Sequence, residues 1–363
     1  MSTPTTAAQP IARGQDFYVP AFEIRPPGRP LPKDVLHDVI SVNYSDDLTQ
    51  IDKFEIVVNN WDARTRTFKY SNGNTFLPGQ KLELWMGYRG KDPLRRVATG
   101  EITSLRPSFP AAGQPTLTVS ALNVLHRFRT KQVTEKYENK TDSQIAKLIG
   151  KRLGVKVHTQ PLAEQAYPYL VQDNQYDIVF LFERAHRIGY DLWVEEDQSG
   201  EPTLHFEPSD NLRKVTYELV WGRSLVEFQP TLTTARQVGS VTVRAWDRRR
   251  KKMITATAKR KSLGSKDDEG VSQAFNERED ITSVVVADQA EADRIARDRL
   301  RDIAHEMIKA SGSTVGLPDL RAGRMIRVGG LGTRFDGGYF LTGTRHSFSD
   351  AGYVTSFDCR KEG

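Results

Sequence analysis

Alternation of apolar and polar residues is the main pattern in the first third of the chain. In residues 116–122 the apolar positions alternate with threonine and serine, and they are Leu117, Val119 and Ala121. Residues 82–86 alternate in the same way. A period of two residues is typical of a half-buried β-strand. Several such segments predict an antiparallel β-domain over residues 16–127, either a small closed barrel or a sandwich, and we expect the barrel.

Helical spacing replaces this alternation after residue 127. Thr141 and Gln144 form a capping-box pattern, and Gly154 ends the apolar repeat that follows them. A second helix is predicted from Asp177 to Gly189, and polar turns then separate two short strands. Residues 128–210 are therefore predicted to form a compact α+β insertion.

The second half of the chain returns to strand patterns. Strands are predicted near residues 216–227, 238–247 and 253–261, and a long helix near residues 288–309. The predicted fold class is α+β, mainly antiparallel β, with two related β-barrel domains and α+β insertions. The predicted parts are a disordered arm (1–15), a first barrel (16–127), the insertion (128–210), the start of a second barrel (211–261), a mobile connection with the long helix (262–312) and the rest of the second barrel (313–363).

A twelve-residue segment near the end of the chain repeats one that lies far upstream. Six residues match without gaps, and each of the six is repeated 239 positions later: Thr103, Arg106, Ser108, Phe109, Ala112 and Gly113 match Thr342, Arg345, Ser347, Phe348, Ala351 and Gly352. The alternative is chance similarity, but both copies share a strand–hairpin–strand order, which favours duplication. Duplication predicts that the two phenylalanines occupy equivalent inward positions.

Composition narrows the class of protein. The 363 residues are 38% hydrophobic and 27% charged, with a net charge of +6, values typical of a globular protein. The longest apolar runs fall short of the ~18 residues that a membrane span needs, and the first fifteen residues lack the apolar core of a signal peptide. The single cysteine, Cys359, excludes an intrachain disulfide and fits production in the cytoplasm.

Candidate chemistry is sparse. The seven histidines show no metal-ligand spacing, and adjacent carboxylates such as Asp46 and Asp47 do not indicate an acid/base pair. The glycines at 329–332 and 337–338 precede no Gly-Lys-Ser/Thr motif, so they predict tight turns rather than a phosphate site. We therefore expect no catalytic, cofactor or metal site and no enzymatic activity.

One basic run is the candidate interaction loop, and its residues are Arg248, Arg249, Arg250, Lys251 and Lys252. Such a run can bind nucleic-acid phosphates. Only Trp246 lies near it as an aromatic, and no nucleic-acid-binding motif accompanies it. The run is better interpreted as a solvated hairpin tip or a contact to an acidic protein, so nucleic acid is not an expected partner.

Several segments resemble the phage late-control D family, which comprises baseplate hub proteins of contractile tails and related injection systems. They also resemble the hub half of type VI secretion spike proteins. The segments are TDSQIAKLIG (141–150), QYDIVFLFERAHRIGY (175–190), WGRSLVEFQP (221–230), GLPDLRAGR (316–324), FDGGY (335–339) and TRH (344–346). The resemblance covers roughly residues 16–360 and consists of fold-shaping residues.

The resemblance implies a structural role. It implies a homotrimeric ring of duplicated barrels that joins a hexameric inner tube to a trimeric spike within a phage tail or an extracellular injection particle. Expected partners are further copies of the chain, the tube protein, the spike and other baseplate proteins. Because the sequence stops without a spike-type domain, the spike is expected to be a separate chain. A cell-wall hydrolase of the same machine and a DNA-contacting tail protein remain alternatives.

Overall fold

The protein is described by a computed structural model that covers most of the chain. The described residues are 9–10, 19–26, 30–90, 93–161, 164, 166–197, 200–208, 215–247, 251–260, 274, 279–283, 286 and 288–362. The predicted mobile connection falls almost entirely outside these ranges, as do most of the N-terminal arm and Arg248, Arg249 and Arg250.

Strands dominate the architecture. The strands are β1 (Gln9–Pro10), β2 (Pro20–Arg25), β3 (Val39–Asp47), β4 (Lys53–Asn59), β5 (Trp61–Asp62), β6 (Thr67–Phe68), β7 (Lys81–Tyr88), β8 (Arg95–Ser108), β9 (Thr116–Leu122), β10 (Gln132–Tyr137), β11 (Lys156–Thr159), β12 (Leu170–Tyr176), β13 (Tyr190–Glu196), β14 (Pro202–Pro208), β15 (Val215–Val220), β16 (Leu225–Leu232), β17 (Ser240–Asp247), β18 (Lys252–Lys259), β19 (Glu279–Ser283), β20 (Ile308–Val315), β21 (Met325–Gly329), β22 (Gly337–Ser349) and β23 (Gly352–Glu362). The helices are α1 (Lys33–His37), α2 (Asp142–Leu153), α3 (Asp177–Arg187) and α4 (Gln289–His305), with a 3₁₀ helix over Val124–Arg129.

The first half of the chain forms a sheet in the order β3-β4-β9-β8-β7-β2. Its strands alternate buried and exposed residues, as the sequence pattern predicts. The buried side chains form one core, with Phe54, Ile56, Leu84 and Val119 at its centre. This confirms the predicted antiparallel β character.

The insertion has its own core, between α2, α3 and the small sheet β11-β14-β13. The capping box is present: the Thr141 side chain accepts from the Gln144 N–H, and the Gln144 side chain accepts from the Thr141 N–H. Gly154 ends α2 with φ of 69°, a left-handed conformation that suits glycine. Both predicted helices are therefore confirmed.

The second half pairs in a similar order, β16-β20-β23-β22-β21-β15, except that its last pair, β21 and β15, is parallel. A separate unit, in which α4 packs on β17 and β18, lies between β16 and β20 in the chain. The predicted long helix ends at His305 rather than near Lys309. Buried and exposed residues alternate from Ile308 onwards, so that segment pairs as a strand instead.

Four strands correspond one to one between the halves. β3, β4, β9 and β8 pair in the same order as β16, β20, β23 and β22, and the same two strands of each set carry a bulge. Ile40 bulges from β3 where Val226 bulges from β16. Thr103 bulges from β8 where Thr342 bulges from β22. Because a bulge is a specific local distortion, the two matching pairs support duplication independently of the matching letters.

The halves join into a single sheet of 13 strands, because the second half of β22 pairs with β3. Among the described strands neither half closes on itself by hydrogen bonds, so the closed barrels remain a prediction. Within the predicted N-terminal arm, Gln9 and Pro10 pair in parallel with β15.

The prediction that Phe109 and Phe348 are equivalently buried is wrong. Phe348 packs on the first core and lies 4.7 Å from the ring of Phe22. Phe109 is 57% exposed, and its ring lies 5.0 Å from the exposed ring of Phe68. The reason is that β22 is covered by β3 at this point, whereas the matching edge of β8 has no described strand beside it.

Candidate assembly interface

The contact between the halves is a six-residue antiparallel ladder. Residues 343–348 of β22 pair with residues 42–47 of β3, from Gly343 opposite Asp47 to Phe348 opposite Val42. Side chains support the ladder, since the Ser347 hydroxyl donates to the Asn43 side-chain oxygen at 2.9 Å. The ladder gives a direct view of how one half of this fold docks on another.

An ion pair between the buried Asp46 and the partly exposed Arg321 lies at the centre of this junction. Arg321 donates from Nε to Asp46 Oδ2 at 2.6 Å and from a terminal nitrogen to the Val97 carbonyl at 2.5 Å. Thr344 donates its hydroxyl to the other oxygen of Asp46. The guanidinium also lies 4.8 Å from the ring centroid of Tyr44. The carboxylate is therefore neutralised and hydrogen-bonded on both oxygens, as burial requires.

His346 completes the junction as a neutral residue. It is fully buried, and desolvation lowers its pKa to about 4. Its Nε2 lies 2.9 Å from the Leu320 carbonyl, which can only accept, so Nε2 carries the proton. Nδ1 then accepts from the Tyr353 hydroxyl at 2.9 Å. These contacts hold the imidazole ring in place at the centre of the junction.

A cavity of about 520 Å³ lies beside the junction, between the first sheet and the insertion. Burial raises the pKa of Asp52 to about 7, and burial also raises the pKa of Glu196. Asp52 accepts from the Asn123 amide at 2.8 Å, and Glu196 accepts from the N–H of Thr99 at 3.0 Å. These acids are bonded to protein groups, and this arrangement is typical of a structural network rather than of an acid/base pair aimed at a substrate.

Two strand edges are the counterparts of this junction, and both are unpaired within the described chain. Residues 104–109 correspond to 343–348 of β22, and residues 228–233 correspond to 42–47 of β3, as the matched ladders show. In the described strands, β8 pairs only with β7 and β9, and β16 only with β20. The chain therefore presents one half of the junction on each of two separate strands.

The residues on these edges differ in character from their paired counterparts. In the internal junction Thr344 donates a hydrogen bond to Asp46. On the free edges the residue that corresponds to Thr344 is Leu105, and the residue that corresponds to Asp46 is Leu232, which is 41% exposed. In the same way, the free edges carry Pro107 at the position of His346 and Pro230 at the position of Tyr44, which face each other in the internal junction. Proline has no N–H to donate and is found on edge strands, where it limits indiscriminate pairing. A joint at these edges would therefore rest on apolar side chains more than the internal junction does.

The basic run predicted as an interaction loop lies only partly within the described residues. Lys251 and Lys252 are exposed at the start of β18, and Lys251 has φ of 50°. They lie in the unit built on α4, in a different element from the two free edges. Arg248, Arg249 and Arg250 lie outside the described residues.

Sequence reasoning missed the Asp46–Arg321 pair. These residues are 275 positions apart, so neither spacing nor periodicity brings them together. No pattern in the sequence pointed to them, because the segments that carry them become neighbours only in the folded chain.

Comparison with known proteins identifies one matching family model and a group of solved structures that share the fold. The model of the family described as the Alg8 N-terminal domain matches residues 18–350. No curated protein sequence matches the chain. The resemblance to the late-control D family remains a prediction.

Solved structures share the fold over nearly the whole chain. A tail protein from Neisseria meningitidis MC58 is 17% identical with a TM-score of 0.69, and the alignment covers 95% of this chain and 98% of that one. The 43 kDa tail protein of prophage MuSo2 from Shewanella oneidensis is 14% identical with a TM-score of 0.67, covering 94% and 98%. An Escherichia coli component of the type VI secretion system is 14% identical with a TM-score of 0.60, covering 94% and 77%. At these identities the likeness establishes the fold.

Proposed function

The chain belongs to the Alg8 N-terminal domain family, and we propose that it is a structural hub in the baseplate of a contractile injection machine, either a phage tail or an extracellular injection system. Its fold is shared with phage tail proteins and with a type VI secretion component. The observation that carries the proposal is the duplicated sheet, in which one junction is closed inside the chain and its two counterparts are unpaired among the described strands.

The open edges complement each other between copies. If residues 104–109 of one copy pair with residues 228–233 of the next, each chain contributes one internal and one external junction of similar geometry. A head-to-tail contact of this kind generates a ring when its rotation closes. A homotrimer then presents six similar units, which fits a hexameric inner tube on one face and a trimeric spike on the other.

The proposed partners are those expected of a baseplate hub. They are two further copies of the chain, the inner tube protein, a spike and the other baseplate proteins. The protein would be made in the cytoplasm and incorporated into a virion tail or tail-like particle. None of the helices in the described part of the chain is long and apolar enough to span a membrane.

The competing functions have less support. A hydrolase would use the cavity acids, but Asp46, Asp52 and Glu196 are all bonded to protein side chains or backbone. A DNA-contacting role rests on the basic run, of which Lys251 and Lys252 are described as exposed loop and strand-end residues.

Cross-linking between copies tests the ring directly. Ser347 and Asn43 contact each other across the internal junction, and their counterparts on the free edges are Ser108 and Gln229. The double variant Ser108→Cys/Gln229→Cys should form disulfide-linked species up to a closed trimer under mild oxidation. The native Cys359 is buried and should not interfere.

A matched control separates specific pairing from random collision. The variant Ser108→Cys/Thr255→Cys places the second thiol on an exposed position of β18, which is not a counterpart of the junction. It should give little cross-linking at the same protein concentration. Cross-linked dimers that never extend to trimers, or equal cross-linking in both variants, would contradict the proposed ring. If free protein is monomeric, the same measurement is made with the tube or spike protein present.

A further inference from the structure

Three side chains that can ligate a metal converge on the outer face of the insertion. They are His158 on β11 and His205 and Glu207 on β14, and their candidate ligand atoms all lie within 4.8 Å of one another. His158 and Glu207 are 49 positions apart in the chain, so sequence spacing does not reveal the cluster. It is separate from the junction and from the free edges.

Strand register explains why these residues meet. β11 and β14 are parallel, and His158 lies directly opposite His205. Glu207 is two residues beyond His205 and therefore shares its face of the sheet. Leu204 and Phe206 point the other way and are fully buried in the core of the insertion. The packing of that core holds the two β14 ligands on the outer face.

The geometry of the cluster is compact. Nδ1 of His158 and Nδ1 of His205 each lie 2.6 Å from the same oxygen, Glu207 Oε1. Glu207 is only 5% exposed, whereas the His158 side chain is 57% exposed. The acid is thus held within the protein, and one ligand remains open to solvent and able to rotate.

The surroundings of His205 resemble an outer shell around a metal ligand. The Trp193 ring stacks on His205 at 5.0 Å with an interplanar angle of 13°, which fixes the imidazole plane. On the far side of the ring, Glu195 Oε2 lies 3.8 Å from Nε2, beyond hydrogen-bond distance, and a small movement of this exposed side chain would bring the two atoms into contact. A histidine that binds metal through one nitrogen commonly has a carboxylate at the other, which orients the ring and raises its basicity.

We propose that His158, His205 and Glu207 form a binding site for a divalent transition-metal ion, with Zn²⁺ as the preferred occupant. Two imidazoles and one carboxylate are a ligand set that zinc accepts, with water in the fourth position. Imidazole ligands select zinc, copper or nickel over the oxygen-preferring Mg²⁺ and Ca²⁺.

Only a small rearrangement is needed to admit the ion. Zinc–nitrogen and zinc–oxygen bonds of about 2.0–2.1 Å at tetrahedral angles separate neighbouring ligand atoms by about 3.3 Å. The two nitrogens now lie 2.6 Å from the glutamate oxygen. Rotation of the exposed His158 ring can lengthen its distance to Glu207. The His205–Glu207 distance must lengthen separately, through a shift of about 0.7 Å in one of those two side chains. Binding displaces the protons on the two Nδ1 atoms, since metal ligands must be deprotonated.

Zinc binding is tested on the purified full chain with Zn²⁺ alone as the probe, in competition with a chromophoric chelator. We expect one site per chain, and in His158→Ala an affinity lower by at least about tenfold. Zn²⁺ should also raise the Tm of the parent protein, because it binds the folded state, and this increase should be lost in His158→Ala. Ca²⁺ and Mg²⁺ should have no such effect.

Two further variants make the test decisive. His186→Ala removes an exposed histidine on α3 and should bind Zn²⁺ as the parent does. Glu207→Gln should weaken binding while it keeps a similar shape. Because His158 is exposed, its alanine variant should fold normally, and its Tm in EDTA checks this. Absence of binding by the parent, or equal affinities of the parent and His158→Ala, would overturn the proposal. The ring proposal is unaffected by either result.

Discussion

Gly79 and Gly323 hold the same backbone conformation at the same point of the two halves. Their φ angles are 82° and 81°. The N–H of Gly79 donates to the Ile102 carbonyl at 2.7 Å, and that of Gly323 to the Leu341 carbonyl at 2.8 Å. Both acceptors lie next to the matching bulges at residues 103 and 342. The duplication therefore extends to individual backbone hydrogen bonds.

The first prediction is that replacing either glycine with alanine lowers the free energy of unfolding to the same extent. A positive φ costs a residue with a β-carbon about 1–2 kcal/mol, so Gly79→Ala and Gly323→Ala should each lower the free energy of unfolding by that amount. Urea denaturation measures the change. Lys81→Ala, an exposed change two residues after Gly79, serves as the control and should be close to neutral. A cost at one glycine alone would indicate that the halves tolerate strain differently.

The second prediction separates Phe109 from Phe348. Phe348→Ala removes a ring from the first core and should cost about 3 kcal/mol of unfolding free energy. Phe109→Ala removes an exposed ring, so the stability of the free chain should change by less than about 0.5 kcal/mol. Assembly should weaken in Phe109→Ala, because this residue ends the β8 edge. Native mass spectrometry of the complex provides the readout, and full assembly of Phe109→Ala would argue against that edge.

The third prediction concerns the edge prolines. Pro107→Val and Pro230→Val each restore an N–H on a free edge and should strengthen pairing between strands. We expect earlier self-association in light scattering, as larger rings or as aggregates. Pro115→Val provides a control, since Pro115 lies in the loop before β9 and not on a free edge. A purely monomeric Pro107→Val/Pro230→Val double variant would show that these edges are not pairing surfaces.

The fourth prediction concerns pH, where two buried groups act in opposite directions. His346 has a folded pKa of about 4, below its usual 6.5, so the unfolded chain binds the proton first and this group lowers stability as pH falls from 6.5 to 4. Asp52 has a folded pKa of about 7, above its usual 3.8, so the folded chain binds the proton first and this group raises stability over the fall from 7 to 3.8. The contributions of these two groups therefore largely cancel each other.

Replacing one of the two titrating groups should reveal the pH dependence of stability that the other group causes. In Asp52→Asn, stability should fall on acidification below pH 6.5, with a slope of up to about 1.4 kcal/mol per pH unit. In His346→Gln, stability should instead rise between pH 7 and pH 4. Urea denaturation at a series of pH values measures both. Parallel pH profiles for the two variants would contradict the assignment of these groups.

Local patterns predicted local structure well. The capping box at Thr141 and the helix end at Gly154 could be predicted from the sequence, because each depends on residues within one or two helical turns. The Asp46–Arg321 pair and the His158–His205 contact were not readable, since each depends on which distant strands become neighbours. The prediction for Phe109 was wrong because matching residues in the two repeats do not have matching neighbours. β3 covers the β22 edge, whereas the β8 edge has no described strand beside it.

The pairing of β22 with β3 also constrains synthesis of the protein. The β3 edge is made about 300 residues before its partner, a delay of at least ~15 s at 5–20 residues per second. Tyr353, a member of the first core, leaves the ribosome equally late. The first half therefore cannot complete its core during translation, and an unpaired edge is exposed to other nascent chains meanwhile. Correct folding of this chain should depend on chaperone protection until its last strands are released.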